Sequence, residues 1–169
     1  CEGCMERVPL LRQALPKVRA AYWRSYARVH QQTVRLLRRA LREESAPLVT
    51  TGHSLGGALA AVAAYNIHAT MSSYLQGPVT VYTFGAPSIG NPAFQMKVDK
   101  RVPHHFRVVV DGDLVTMTTH GCGLLEPCCT RVRVPQQCGT LVLLDSDSLG
   151  NIIVAPTVVE ALFRGESWN

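Results

Sequence analysis

The sequence lacks any hydrophobic run long enough to cross a membrane. Its most apolar helical stretch, residues 58–64, soon gives way to Asn66 and His68, whereas a spanning helix needs about 20 apolar residues. The first residue is Cys1 rather than methionine, and no secretory or transit segment can be recognised. We therefore expect a protein that does not span a membrane and that is either processed or a fragment of a longer chain.

Acidic residues are missing from one long segment. From Arg7 to Arg42 there are ten Lys or Arg and no Asp or Glu, while the remainder has seven basic and twelve acidic residues. Apolar residues at helical spacing predict an amphipathic helix over residues 18–42. Its basic face is either a solvated surface or a contact with an anionic lipid surface, and without a recognised nucleic-acid module we expect no nucleic-acid partner. The predicted apolar stripe consists of Val18, Tyr22, Tyr26, Val29, Leu37 and Leu41.

The six cysteines are even in number, which permits disulfides and makes a secreted or lumenal location plausible. Cys1 and Cys4 have the spacing of half a zinc site, but no second pair supplies the other half. Ordinary thiols or disulfides are therefore the better interpretation than a bound metal.

Strand and helix patterns alternate along the rest of the chain. Apolar runs predict strands at residues 47–51, 79–84, 106–110, 141–144 and 152–154, and helical patterns cover residues 55–69, 94–100 and 157–164. This alternation predicts an α/β fold with a mostly parallel sheet and flanking helices, whose functional loops lie at the carboxyl ends of the strands. The length and the hydrophobic content of 47% fit a single domain over residues 1–169.

The pentapeptide Gly-His-Ser-Leu-Gly at residues 52–56 lies directly after a predicted strand and directly before a predicted helix. That context favours a nucleophile elbow, in which Ser54 is raised above the sheet at the positive end of a helix. The backbone N–H of Leu55 would then donate to the oxyanion of an acyl intermediate. The alternative is a glycine-rich turn in which the serine has no chemical role.

Three segments together resemble the class 3 (fungal-type) triacylglycerol lipase family. They are residues 49–60 around Ser54, residues 83–91 (Thr-Phe-Gly-Ala-Pro-Ser-Ile-Gly-Asn) and residues 106–115, which end in Asp-Gly-Asp-Leu-Val. The resemblance implies an α/β-hydrolase fold, ester hydrolysis through an acyl-enzyme, lipid esters as substrates and no cofactor. It also implies that Ser54 is the nucleophile and Asp113 the triad acid, with Asp111 as the competing carboxylate and a plain turn as the alternative role for both.

The catalytic histidine departs from the family pattern. The family places it in a His-x-Gly motif before a strand, and the corresponding residues 137–140 are Gln-Cys-Gly-Thr, so Gln137 occupies the expected position. His120 is the only histidine after Asp113 and is the candidate substitute base. His53 belongs to the elbow, and His104 and His105 precede a strand, where a surface role suits them better.

The family resemblance implies further strands before the first helix, for which this chain has room for only about 17 residues. We therefore expect a domain that lacks its N-terminal strands, or one whose sheet edge is covered by another chain. The predicted function is lipid ester hydrolysis. The alternatives are a non-catalytic lipase-like protein that binds lipid or a protein partner, marked by Gln137, and a membrane-surface module led by the basic segment.

Overall fold

The computed structural model describes residues 15–110, 112, 113, 115, 116, 137–144 and 152–155. The elements in chain order are α1 (Ala20–Glu43), β1 (Val49–His53), α2 (Leu55–Met71), a 3₁₀ turn (Ser72–Tyr74), β2 (Thr80–Phe84), α3 (Pro92–Arg101), β3 (His104–Val110), β4 (Thr140–Leu144) and β5 (Ile152–Val154). The predicted helix over residues 157–164 lies outside the described residues. Within the described residues, no helix combines the length and the hydropathy needed to cross a membrane.

The five strands form one sheet in the order β1-β2-β3-β4-β5. The first four strands are parallel, and β5 runs antiparallel to β4. This arrangement confirms the predicted α/β fold with a mostly parallel sheet. Among the described strands β1 lies at one end of the order.

The two faces of the sheet differ in what covers them. On the inner face, buried strand residues such as Val81 and Val109 face the helices, and Ile67 and Phe94 bring α2 and α3 into the same buried core. On the outer face, the alternate side chains remain open to solvent within the described residues. The exposed fractions are 53% for Val49, 40% for Tyr82, 43% for Phe84, 49% for Val110, 64% for Ile152 and 61% for Val154.

The buried stripe of α1 follows the prediction except at Val29. Tyr22 and Tyr26 are buried as expected, but Val29 is 51% exposed and Val34 is buried instead. Each residue advances the helix by about 100°, so His30 rather than Val29 comes round to the inner side after Tyr26. The His30 ring packs edge-on against Tyr26, with the ring centroids 5.4 Å apart. The prediction missed this turn of the buried stripe because His30, which faces inward, is polar.

The start of α1 is tied to the loop that follows β2. Asn91 caps α3 by accepting a hydrogen bond from the Phe94 N–H at 3.0 Å. The same side chain accepts from the Lys17 N–H and donates to the Leu15 carbonyl, both at 2.8 Å. The N-terminus of α1 therefore lies at the edge of the sheet where the parallel strands end.

Candidate active site

Ser54 adopts the conformation that a nucleophile elbow requires. It joins β1 to α2 with φ 51° and ψ −125°, which is a positive φ that residues with a side chain rarely adopt. Such strain costs about 1–3 kcal/mol and persists only where the surroundings enforce it. Here the Ser54 N–H donates to the Phe84 carbonyl at 2.9 Å, so the elbow extends the hydrogen-bonding ladder between β1 and β2.

The elbow depends on a missing side chain at Gly52. A Cβ added there would lie 2.3 Å from the carbonyl oxygen of Gly56, a backbone atom in the first turn of α2. Only glycine permits this close approach of strand and helix. Leu55, the first residue of α2, places its N–H in the first helical turn, where backbone donors lack an intrahelical acceptor.

Asp113 is held in a tight turn at the carboxyl end of β3. Its N–H donates to the Val110 carbonyl at 3.1 Å, and its Oδ1 accepts from the Val115 N–H at 2.9 Å. The Thr116 hydroxyl donates to the Asp113 carbonyl at 2.7 Å. The Val115 N–H holds one carboxylate oxygen, and the other two bonds hold the backbone of the turn. The competing Asp111 lies outside the described residues.

The second carboxylate oxygen of Asp113 is directed to the backbone of Gly85, immediately after β2. A Cβ added at Gly85 would lie 2.9 Å from Asp113 Oδ2, and Gly85 has a φ of +54°. The Gly85 N–H donates to the Val108 carbonyl at 2.9 Å. Neighbouring strand ends thus bring the elbow of Ser54 and the carboxylate of Asp113 to the same edge of the sheet, as the parallel arrangement predicts.

The histidines that the sequence offered are distributed differently from the expectation. His120 lies outside the described residues, and His104 is exposed at the amino end of β3, far from Ser54. His53 Nε2 lies 3.7 Å from the position that a Gly85 Cβ would occupy. The surface role expected for His105 is wrong, because this residue is only 2% exposed. His104 keeps the expected surface position, whereas the alternation of side chains along β3 turns His105 towards the helices.

Gln137 lies beside the turn that holds Asp113. Its side-chain amide donates to the carbonyl of Thr116, whose hydroxyl in turn bonds to the Asp113 backbone. The lone pair of an amide nitrogen is delocalised into the carbonyl group, so this nitrogen cannot accept the proton of a serine. The side chain at position 137 is therefore near the candidate acid and is chemically unable to act as a base.

A buried polar cluster beneath the sheet was missed by the sequence analysis. His105 and Arg107 point inward from β3, with 2% and 9% of their surface exposed, and the Arg107 Nε has no hydrogen-bond partner within the described residues. Burial, followed by the nearby Arg107 charge, lowers the pKa of His105 from 6.5 to about 4. The sequence pattern was misleading here, because these two polar residues alternate with apolar Phe106 and Val108 and yet lie inward.

Cys138 lies in the same region and has a free thiol. Burial raises its pKa to about 12, so the thiol is protonated and unreactive near neutral pH. The disulfide expectation therefore does not apply to Cys138, and the other five cysteines lie outside the described residues. Within the part of the chain that the structure describes, no three His, Cys, Asp or Glu side chains are grouped so as to hold a metal ion.

Comparisons with known proteins converge on one family. Residues 4–121 match the family described as Lipase (class 3). The chain is 37% identical over 89 residues to phospholipase A(1) DAD1, chloroplastic, of Arabidopsis thaliana, an alignment covering 52% of this chain and 19% of that protein. It is 32% identical over 114 residues to the secreted mono- and diacylglycerol lipase MDL4 of Malassezia globosa, covering 66% of this chain and 36% of that protein.

A solved structure shows the same fold. The lipase from Rhizopus microsporus var. chinensis superimposes with a TM-score of 0.68 and 24% identity over 85% of this chain and 47% of that chain. The chain spans only about a fifth to about a third of the length of the two curated relatives. The family match nevertheless covers well over half of the chain, and so the chain belongs to the class 3 lipase family of α/β-hydrolases.

Proposed function

We propose that the protein hydrolyses carboxylic esters of lipids through an acyl-enzyme formed on Ser54. The observation that carries the proposal is the strained backbone of Ser54, with φ 51° and ψ −125°, at the start of α2. A fold maintains such strain where it serves a purpose, and here it presents a hydroxyl at the positive end of a helix. The names of the relatives, a phospholipase A(1) and a mono- and diacylglycerol lipase, support lipid esters as the substrate class.

The proposed reaction assigns one role to each group. Ser54 Oγ attacks the ester carbonyl carbon while a base removes its proton, and the Leu55 N–H stabilises the oxyanion. The base then protonates the departing alcohol, and water releases the acyl group by the same steps in reverse order. Asp113 stabilises the imidazolium that forms on the base and fixes its orientation.

The identity of the base divides two versions of the proposal. In the first, His120 is the base and closes the triad with Asp113. In the second, the protein is a non-catalytic member of the family that binds a lipid or a protein partner. The position of Gln137 supports the second version, because its amide is engaged by the Thr116 carbonyl in the turn that carries Asp113.

Ester hydrolysis by the full chain and four variants tests these roles. With a short-chain nitrophenyl ester, we expect Ser54→Ala to lower the rate by about 10³-fold or more, as loss of a serine nucleophile does in other hydrolases. Ser73→Ala, in the 3₁₀ turn that follows α2, is the matched control and should retain the parent rate. Loss of activity in His120→Ala identifies the base, and an inert parent that gains activity as Gln137→His identifies a disarmed lipase. Activity that persists in Ser54→Ala contradicts the proposed nucleophile.

The basic face of α1 is proposed to contact an anionic lipid surface. Arg35, Arg38, Arg39 and Arg42 are all exposed on the C-terminal half of the helix. Arg38 and Arg42 lie 5.6 and 5.9 Å from the centre of the Tyr74 ring, and they lower the pKa of that phenol, with the Arg42 hydrogen bond contributing most. This positive surface attracts anionic head groups, each basic residue contributing about 1 kcal/mol near a membrane.

Vesicle sedimentation tests the lipid contact. We expect the chain to bind vesicles that contain phosphatidylglycerol and to be released between about 0.05 and 0.5 M salt, because screening weakens interactions between exposed charges. A variant with Arg35→Gln and Arg39→Gln should bind more weakly, while Lys97→Gln with Lys100→Gln on α3 removes the same charge from another surface. Equal loss in the two double variants would show that net charge rather than α1 is responsible. A secreted or lumenal location, which one relative's name supports, remains part of this proposal.

A further inference from the structure

Asp99 lies in the last turn of α3, where a negative charge opposes the helix dipole. Its side chain extends to the segment before β4, where Oδ1 accepts a hydrogen bond from the Gly139 N–H at 2.7 Å. Desolvation raises the pKa of this carboxyl group, while the Gly139 bond and then the buried Arg107 charge oppose the rise. The contact joins positions that are 40 residues apart, and it gives a reason for a carboxylate at an otherwise unfavourable end of the helix.

Gly139, which receives this contact, also lies directly against β3. It has a φ of +87°, and a Cβ added there would lie 2.7 Å from Cγ of the His105 ring. Only glycine fits this left-handed conformation so close to the neighbouring strand. The next residue, Thr140, begins β4 and pairs with Phe106. The start of β4 is therefore held both by its close contact with β3 and by the hydrogen bond to α3.

The residues before Gly139 connect it to the candidate active site. Gln137 donates from its side-chain amide to the Thr116 carbonyl, and the Thr116 hydroxyl donates to the Asp113 carbonyl at 2.7 Å. Cys138, between Gln137 and Gly139, is only 4% exposed, so the connecting residue is packed in the core. A short and packed link thus joins the bond at Gly139 to the turn that carries the proposed triad acid.

We propose that Asp99 is a positioning residue, which holds the Gly139 backbone and thereby keeps residue 137 against the turn that carries Asp113. Asp99 takes no part in the chemical steps in this role, because it acts through the backbone of residues 137–139. Its effect on catalysis rests on the proposed hydrolase function. The positioning itself does not, since the hydrogen bonds of Gly139 and Gln137 can be measured without any turnover.

Amide NMR of the full, isotope-labelled chain tests the link between Asp99 and residue 137. The side-chain amide signals of Gln137 are identified as those that disappear in Gln137→Ala. In Asp99→Ala the Gly139 amide proton should shift upfield, because its charged acceptor is lost, and the Gln137 side-chain protons should move towards the shifts of a solvated amide. Asp99→Ser, with a shorter side chain, gives an independent version of the same loss. Asp99→Asn keeps an acceptor oxygen and should restore most of both shifts.

Two controls separate this link from a general loss of structure. Lys100→Ala changes the next residue of α3, which is exposed, and should leave the Gln137 signals in place. The side-chain amide of Gln76 donates a hydrogen bond elsewhere in the molecule and should not respond to Asp99→Ala. Gln137 signals that stay unchanged while the Gly139 amide shifts would overturn the proposal, as would equal losses in Asp99→Ala and Asp99→Asn.

Ester hydrolysis then measures the effect on catalysis. Asp99→Ala should lower kcat about tenfold with KM within about twofold, because a displaced catalytic group costs rate, up to about 100-fold for a shift of about 1 Å. Asp99→Asn should recover most of the lost kcat, and Lys100→Ala should match the parent. An unchanged kcat in Asp99→Ala, with the Gln137 signals displaced, would reject the positioning role in catalysis. An inert parent would instead count against the proposed hydrolase, and the amide signals would still decide whether Asp99 positions residue 137.

Discussion

The inner and outer faces of the sheet are made of the same strands and yet use their residues in opposite ways. The inner face buries Val81 and Val109 together with two cationic or titratable side chains, His105 and Arg107. The outer face exposes aromatic and β-branched residues and, at its carboxyl edge, the side chain of His53. The comparison teaches that the effect of a substitution on stability depends more on the face that the residue occupies than on the hydrophobicity of the residue.

The largest expected loss of stability comes from adding a side chain at Gly52, where β1 and α2 are in close backbone contact. Gly52→Ala would place a Cβ 2.3 Å from the Gly56 carbonyl oxygen, so strand and helix must separate. We expect a loss of about 4 kcal/mol or more in the free energy of unfolding, measured by urea denaturation, or failure to fold. Gly56→Ala is the matched control, because a Cβ there meets nothing within 4 Å and alanine favours a helix. Similar losses in both variants would contradict the packing argument.

Replacing a valine by alanine on each face tests the difference in packing between the two faces. Val81 is fully buried on the inner face, whereas Val110 on the outer face is 49% exposed. Val81→Ala should lower the free energy of unfolding by about 2–3 kcal/mol, and Val110→Ala should lower it by less than about 1 kcal/mol. A loss at Val110 equal to that at Val81 would break the comparison and show that the outer face is covered in solution.

The buried histidine predicts a pH dependence that the outer face should not share. Because burial lowers the pKa of His105 from 6.5 to about 4, the unfolded chain takes up the proton first as the pH falls. The stabilisation is complete above pH 6.5 and is lost as the pH drops towards 4. Between pH 7 and pH 5 we expect a loss of about 2 kcal/mol, measured as the free energy of unfolding. The loss should be smaller in His105→Gln, and an unchanged slope in that variant would rule out His105 as its source.

The smallest effect concerns packing between an exposed and a half-buried aromatic side chain on the outer face. The rings of Tyr82 and Phe106 stack on the outer face with their centroids 5.3 Å apart. A double-mutant cycle with Tyr82→Ala and Phe106→Ala should give a coupling of about 0.5–1.5 kcal/mol. Additive losses in the double variant would show that the outer face gains nothing from its aromatic pair.

Much of the fold could be predicted from local sequence patterns. The apolar runs located the strands, although β1 and β3 also include polar residues and β1 begins two residues later than predicted. The elbow at Ser54 was recognisable because a Gly-rich pentapeptide joined a strand to a helix. The mostly parallel arrangement of the strands followed from the alternation of strands and helices. These features depend on a few neighbouring residues, which is why the sequence contained them.

Other features depend on packing between distant segments and were not predictable. The inward side of β3 was assigned to neither of its histidines, and the helical stripe was drawn through Val29 although His30 turns inward. The convergence of His53 and Asp113 on Gly85 involves three separate strand ends. The role of His120 as base stays a prediction, since it lies outside the described residues.

The position of Asn91 before a proline affects how readily this residue can deamidate. Its side-chain amide joins residues 15–17 to the start of α3, so conversion to aspartate would replace the donor to the Leu15 carbonyl by a negative oxygen. Deamidation ordinarily proceeds when the backbone nitrogen of the next residue attacks the amide carbon. The next residue here is Pro92, which has no N–H and cannot close that ring. The residue that joins the start of α1 to the loop after β2 is thus followed by proline, which blocks the commonest route of its deamidation.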